Sequence, residues 1–534
     1  MGDQKKDFAL TRRDLLYRAG LGIAGATLAG MPNLLYGAEE KPKYGGTLRV
    51  VYRYASSGLD VHRNQEFMDM QNYCLMYGGL LEQGKLPQME MYPMLAKSWE
   101  VSPDGREFIF PLRQGVKFHH GKEFDSGDVK YSIERVMNPA TRSPRAFAFK
   151  WVDSIQIIDK YTIKIRLKEP FGPFLNSLTI FTCAIIPAGW QPTPTKPAPG
   201  TGPFVFKSMV PNETLEVARW DQYYEMDEKT GNRLPYLGGV FVKKVVDETV
   251  RMTALRAGDI DAVSGPPASV LAQALLEKPI PGIVMGFDKP GSTVIFFNVT
   301  KPPFNNKKVR QAVAYALDKE EMNKAIFWGF GEPLNSQPFV KGSRFRIPVK
   351  EREVNLAKAK QLLAEAGYPN GFKTEFFEFA TAAVREGAQS AMGQLRRIGI
   401  EATMNMIDQA PYFAAMRKGD YSISCGTVSS RYDWDDAYYL YLHSGEIGKN
   451  NWSRYSNKEL DALLEKGRTT WKFEDRIPIY RKVVETIEED LPIWYGLQST
   501  VGYAFRDSLK GFREGFGLRF AWHGGGAKYW WLAK

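Results

Sequence analysis

"KTEFFEFATAAVREGAQSAMGQLRRIGIEATMNMID", residues 373–408, decides the fold. "KTEFFEFA" reads as a strand, "AAVREGAQSAMGQLRRIGI" as a helix and "EATMNMID" as a second strand. A strand–helix–strand unit of this length is a βαβ crossover, and the crossover makes its two strands parallel. The surrounding chain supports the same reading. Upstream, "VNLAKAKQLLAEAGYPNGF" is a helix with Asn355 as its cap and Gly367 as its stop. Before it, "NNKKVRQAVAYALDKEEMNKAIFWG" reads as one helix from about Lys307, ending at Gly329. Downstream come two long amphipathic helices, around 456–467 and 474–490, and "LPIWYGLQSTVGYAF" returns to strand.

The N-terminal half has a different texture. "YGGTLRVVYRYA" alternates Leu48, Val50 and Tyr52 with Arg49, Val51 and Arg53, as a strand does. "SWEVSPDGREFIFPLRQGV" is a hairpin turning at Pro103-Asp104-Gly105, where Pro presets φ and Gly accepts a positive one. "SGDVKYSIERVMNP" is a helix with Ser126 as cap, a stripe of Val129, Ile133 and Val136, and Pro139 past its end. "WVDSIQIIDKYTIKIRLKEP" is a second hairpin, turning near Asp159-Lys160. "QPTPTKPAPGTGP", residues 191–203, is a Pro- and Gly-rich loop or a crossing between domains. Early hairpins, a βαβ-rich second half and a late return to strand predict an α/β protein of two lobes. The chain crosses between them more than once.

With 534 residues the chain exceeds one compact core, and two or three domains are expected. Its 44% apolar and 25% charged content is that of a globular protein. Aromatics at 13% suit a large core, or a pocket that holds ligands by ring contacts. The net charge is +11; the first 38 residues carry five basic and three acidic groups, which leaves about +9. The basic residues are scattered singly or in pairs, with no run of five like charges, so a nucleic-acid partner is not expected. Cys74, Cys183 and Cys425 lie far apart among apolar neighbours, with no C-x-x-C pair. They allow at most one disulfide.

The first 38 residues read as an address rather than fold material. Arg12-Arg13 precede a mild Gly- and Ala-rich stretch from Ala19 to Gly30, the pattern of a Tat export signal, with cleavage near Ala38. No cysteine lies at the end of that stretch, so a lipid anchor is not expected, and the periplasm is the expected compartment.

Catalytic signatures are missing. The chain has no G-x-S-x-G, H-E-x-x-H or G-x-x-x-x-G-K-[ST], and its βαβ unit lacks G-x-G-x-x-G. His119 and His120 are adjacent, so on a strand they point to opposite faces and read as structural. No cofactor or metal is expected. "SSRYDWDDAYYLYL", residues 429–442, gathers three carboxylates and five aromatics. An acid pair, a metal site, a ligand-holding loop and a helix start are all consistent with it. Asp435 and Asp436 read as caps in contact with solvent, and the tyrosines as core.

Several stretches together resemble one family. They are "YGGTLRV", "LLEQGKLPQMEMYPMLAKSWEVSPDGREFIFPLRQGVKFHHGKEFDSGDVKYSIERV", "TGPFVF", "DETVRMTALRAGDIDAV", "PPFNNKKVRQAVAYALDKEEM", "AKQLLAEAGYPNGF" and "DLPIWYGL". In order and spacing they are similar to the solute-binding family 5 proteins, the extracytoplasmic receptors of peptide, opine, nickel and related ABC importers. The block from Pro93 to Val136 is the most specific. The resemblance implies a two-lobed periplasmic-binding-protein fold of class II type with an extra subdomain on lobe I. It places lobe I at 39–88, 204–290 and 497–534, the extra subdomain at 89–203 and lobe II at 291–496. It implies no catalysis. The expected partners are a peptide or amine-bearing small solute and the membrane subunits of an ABC permease, with the receptor a monomer. An opine, sugar-conjugate or metal-chelate receptor is the alternative within the family. A secreted carboxylate-dependent hydrolase is the rival outside it.

The resemblance also suggests site residues. "YDWDDA" falls where many peptide-binding relatives carry an "A-D-Y-x-D-P"-like stretch. Asp433 takes the position of the acid that pairs with a ligand amine, with Trp434 packing on the ligand and Arg431 offering a second charge. Ala437 stands where the relatives carry Pro. Gly291, Ser292 and Thr293 lie at the expected hinge, Tyr54 after the first strand, and Trp494 with Tyr495 at the second crossing. These are the further cleft candidates.

Overall fold

The computed structural model describes residues 40–64, 67–84, 88–265, 270–271, 280–288, 291–350, 352–379, 382–429, 433–512, 521–522 and 525–533. The expected export signal lies outside the described residues.

Three sheets organise the chain. The first has seven strands, in the order Ile283–Asp288, Val501–Arg506, Ala262–Ser264, Thr47–Tyr52, Gly239–Lys244, Thr214–Arg219 and Phe204–Val210. Its centre is Thr47–Tyr52, parallel to both neighbours. The alternation of this strand predicted one apolar face. Leu48 and Val50 do enter the main core, yet Val51 is buried as well. The helix Glu248–Ala257 covers the second face and packs Met252 and Leu255 against it. Central strands covered on both sides bury both faces.

The second sheet has six strands, in the order Glu332–Pro333, Ile493–Gln498, Gly291–Phe297, Ile423–Ser429, Phe372–Phe379 and Ile400–Ile407. The βαβ unit forms as read: Phe372 pairs Ile400 in parallel register, and the helix Ala382–Leu395 makes the crossover. Two apolar clusters cover this sheet. One holds Phe376, Ile295, Ala388 and Leu395, the other Phe296, Tyr412, Val428 and Ile493. The chain passes from the first sheet to the second after Ile283–Asp288, and back between Ile493–Gln498 and Val501–Arg506.

The third sheet is antiparallel and has four strands, in the order Glu100–Val101, Glu107–Pro111, Thr162–Leu167 and Val152–Asp159. Both expected hairpins are here. Val129, Ile133 and Val136 of the helix Ser126–Met137 pack with Phe110, Ile163 and Ile165. Leu80 and Leu81 join this cluster.

Two local details differ from the sequence reading. The cap of Ser126–Met137 is Asp125, which accepts the Gly127 and Asp128 N–H groups while Asp128 returns a bond to the Asp125 N–H. This reciprocal box satisfies more orphan donors than a Ser126 hydroxyl would. The helix expected to run from Lys307 to Gly329 is two helices, Lys307–Ala316 and Lys319–Phe327. Asp318 breaks it by turning extended and accepting the Glu321 N–H as a new cap. All three cysteines are buried and free, so no bridge forms. Among the described residues no helix is long and apolar enough to cross a membrane.

Candidate ligand-binding site

The site starts from a topological feature of the second sheet. Phe372–Phe379 sends the chain through its helix to Ile400–Ile407 on one flank. Its other neighbour, Ile423–Ser429, runs parallel to it and leads on to Ile493–Gln498 in the opposite direction. Adjacent parallel strands whose connections diverge leave a crevice beyond their carboxyl ends, where open α/β sheets take ligands.

The face of the sheet under the Ala382–Leu395 helix becomes polar toward that crevice. Deepest is an apolar row of Phe376, Ile423 and Phe297. The next row holds Cys425 opposite Ile295, with the Glu378 carboxyl against it. The last row pairs Thr293 with Thr427, and Thr427 is exposed. Glu378 Oε1 accepts the Cys425 N–H at 2.7 Å. The backbone ladder between the two strands is registered only at Phe376 and Ile423. Beyond that pair the side chain stands in for a main-chain acceptor. Glu378 Oε2 and the Thr293 hydroxyl have no hydrogen-bond partner among the described residues, though both are buried. Burial pushes the Glu378 carboxyl up to about 9, against the opposing pull of the Cys425 N–H, so the group is neutral near pH 7. Gly387 lets the helix approach closely here; a Cβ on it would lie 3.1 Å from Cys425 Sγ and 3.4 Å from Thr293 Cγ2.

The residues expected to hold the ligand are used differently. Asp433 is 1% exposed and its carboxylate is saturated. Arg476 donates through Nη1 to Oδ2 and through Nη2 to Oδ1. Asn176 Nδ2 also donates to Oδ2, and the Asp435 N–H to Oδ1. Four donors fill the acceptor sites of a carboxylate, so a ligand amine has no free position on Asp433. The role expected for it is corrected to that of a buried ion-pair partner. Trp434 is fully buried rather than ligand-facing. It stacks on Phe473 and Tyr480, each at 4.9 Å between ring centroids, and donates its indole N–H to the Phe345 carbonyl. Asp435 is not a solvated cap: Arg468 binds both of its oxygens, and burial raises its pKa to about 6 against that attraction. Asp436 lies 3.7 Å from Arg145. Tyr438 is core, as read from the sequence.

Of the remaining candidates, Trp494 and Tyr495 sit in the two apolar clusters of the second sheet, which corrects Trp494 from cleft to core. Gly291 is buried and its carbonyl accepts both the backbone N–H and the hydroxyl of Ser499. Ser292 donates to Gln498 Oε1 at 3.3 Å. Thr293 belongs to the polar row. Tyr54 is 55% exposed, with Arg53 over its ring. Arg431 lies outside the described residues. His119 is pinned to the Gly200 and Gly202 backbone, whereas His120 packs on Trp190. Among the described residues no group of three or more His, Cys, Asp or Glu could hold a metal ion.

Sequence reasoning passed over Glu378, Asn176, Arg468 and Arg476. Glu378 did leave a signal: a lone charge in "FFEF", inside a strand that the βαβ reading had already placed in a covered parallel sheet. Asn176 and the two arginines left none, because their partners are distant in sequence.

Known proteins support the same architecture. Residues 90–450 match the model of the bacterial extracellular solute-binding proteins, family 5, middle region. The heme-binding protein A of Haemophilus influenzae is 29% identical over 463 residues, covering 80% of this chain and 82% of its own. The glutathione-binding protein GsiB of Pectobacterium atrosepticum is 29% identical over 500 residues, covering 89% and 92%. The periplasmic binding protein DppA from Helicobacter pylori, solved in complex with the peptide STSA, superposes with a TM-score of 0.76 at 26% identity. That match covers 92% of this chain and 99% of DppA.

Proposed function

The chain belongs to the bacterial extracellular solute-binding proteins of family 5, and from that premise we propose what it captures and how. It is a substrate-binding protein, and its relatives are binding components of importers rather than enzymes. The solute is a peptide or an amine-bearing small molecule. It is held between the lobe built on the seven-stranded sheet and the lobe built on the six-stranded sheet, then passed to the membrane subunits of an ABC permease. The protein works in the periplasm as a monomer and reaches it by the Tat route.

The observation that carries this reading is the polar row of Glu378, Thr293 and Thr427. It lies at the switch point of the second sheet, where the chain passes twice between sheets. Two lobes joined at adjacent strand ends can rotate about those crossings and close over a solute. The physical work is capture. Apolar surface and fixed polar groups replace the solute's hydration, and lobe closure excludes water.

Mass spectrometry of small molecules released from natively purified protein tests the proposal. A peptide or amine is the expected finding. Turnover of a glycoside or peptide panel by the purified protein would overturn it in favour of a hydrolase.

A further inference from the structure

We propose that Glu378 is the acid that selects the solute: its Oε2 receives a protonated amine of the captured molecule, beside the Thr293 hydroxyl. The proposal rests on the reading of the switch-point crevice as the capture site.

Three observations converge. First, the carboxyl is held but not satisfied. Oε1 is fixed by the Cys425 N–H, and Oε2 has no partner among the described residues. Three other buried carboxylates are matched by cations: Asp433 by Arg476, Asp435 by Arg468 and Asp60 by Arg135. Glu378 has no ion-pair partner among the described residues. Asp69, buried without a cation, has both oxygens held by Ser56 and Ser57 instead. An unmatched buried acceptor such as Glu378 Oε2 is costly and stands out against these.

Second, Glu378 lies one row inside the open end of the sheet. Thr427 is exposed and sits two residues along its strand from Cys425, a step of about 7 Å. The Thr293 hydroxyl, also unpartnered among the described residues, stands across from Thr427 between that opening and the acid. A solute entering past Thr427 meets the hydroxyl first and the carboxyl next.

Third, the described surroundings leave the charge to be supplied by the solute. Of the titratable groups packed near it, burial keeps the Cys425 thiol and the Tyr412 phenol neutral. Arg385 and Glu386 of the covering helix are exposed. The resting carboxyl is therefore protonated. An ammonium arriving at Oε2 favours the ionised form, and the proton leaves to solvent as the ion pair forms. A neutral solute leaves the acid protonated and gains no such pair. The acid thus discriminates for amines.

The test compares the wild-type mature protein with Glu378→Gln, which keeps the Oε1 acceptor and the side-chain shape but cannot ionise. Both are screened by thermal shift against amino acids, trialanine, N-acetyl-trialanine, polyamines and neutral sugars. Binding members then go to calorimetry at pH 7 in buffers of different ionisation enthalpy. The expected result is stabilisation of the wild type by free-amine members, with release of about one proton per solute bound. Glu378→Gln should bind them roughly ten-fold or more weaker and release no proton. Equal affinity in Glu378→Gln overturns the assignment, as does binding without proton release or equal binding of the acetylated peptide. Stabilisation by neutral sugars alone overturns it while leaving the receptor reading intact. Stabilisation by nothing in the panel overturns the amine reading of the receptor as well. A Glu378→Gln melting temperature at or above the wild type's excludes misfolding as the cause of lost binding.

Discussion

Arg476 grips Asp433 with both terminal guanidinium nitrogens, and neither side chain is more than 2% exposed. Arg476 lies on the helix Phe473–Asp490, and Asp433 just precedes the helical turn at Asp435–Tyr439. Asn176 joins them from the chain segment that follows the four-stranded sheet. Burial alone would lower the guanidinium's affinity for its proton, but Asp433 raises it, so the guanidinium stays charged. The contact couples the third sheet's surroundings to the second lobe.

Breaking that pair should cost stability rather than selectivity. Arg476→Met strands a buried carboxylate, an error of about 3–5 kcal/mol. Urea unfolding should show a midpoint shift of that size. The ratio of affinities for amine and neutral solutes should stay at its wild-type value. An unshifted midpoint would show that Asp433 finds water or another partner instead.

A second pair, with a buried ammonium and a partly exposed carboxylate, allows a cleaner separation. Lys528, near the C-terminal end, donates to Glu225 Oε2 at 2.5 Å, and Glu225 holds the ammonium's pKa above its usual range. Lys528→Met leaves a partly buried carboxylate, and Glu225→Gln leaves a buried ammonium. Glu225→Gln, which strands the buried ammonium, should destabilise by about 3 kcal/mol, and Lys528→Met by less, because water reaches the carboxylate. The double change should cost clearly less than the sum, because it removes both charges together. Additive losses in a double-mutant cycle would mean the two groups do not depend on each other.

The Pro-rich loop at 191–203 makes a purely steric prediction. A Cβ on Gly200 would sit 1.8 Å from the Met76 carbonyl oxygen, a backbone atom that cannot swing aside. The neighbouring Gly202 N–H donates to that same carbonyl. Gly200→Ala must push the loop off the end of the helix Phe67–Met76. It should lower stability by about 3 kcal/mol, at the upper end of overpacking costs. A melting temperature within two degrees or so of wild type would show that the loop yields easily.

What the sequence made legible follows how local each determinant is. The βαβ unit, both hairpins and the Asn355 cap are set by residues within one or two turns of each other, and each formed as read. The break at Asp318 was missed because the apolar stripe runs on through it, while the cap competes only at one residue. The site was harder. Asp433 and Trp434 carry the chemistry expected of a binding loop, but their roles are set by Arg476, Asn176 and Phe345, which lie 43, 257 and 89 residues away. No periodicity encodes those partners. Glu378 was the opposite case. Its neighbourhood was legible, but the meaning of one acid among phenylalanines depended on knowing which face the crossover helix covers.

Glu378 also makes a pH prediction that requires no ligand. Its folded pKa, about 9, lies above the ordinary value of 4.5. A raised carboxyl pKa means that its stabilising contribution is complete below about pH 4.5 and is lost as pH rises toward 9. At pH 7 the wild type is therefore held back by about 3 kcal/mol relative to a group that cannot ionise. Glu378→Gln should be more stable than wild type at pH 7. The gap should grow by about 1.4 kcal/mol per pH unit between roughly 5 and 9, and level off below 4.5. Guanidinium unfolding at pH 4.5, 7 and 9 measures this directly. A gap that does not change with pH would mean that the carboxyl is solvated in the folded protein and titrates near its ordinary value.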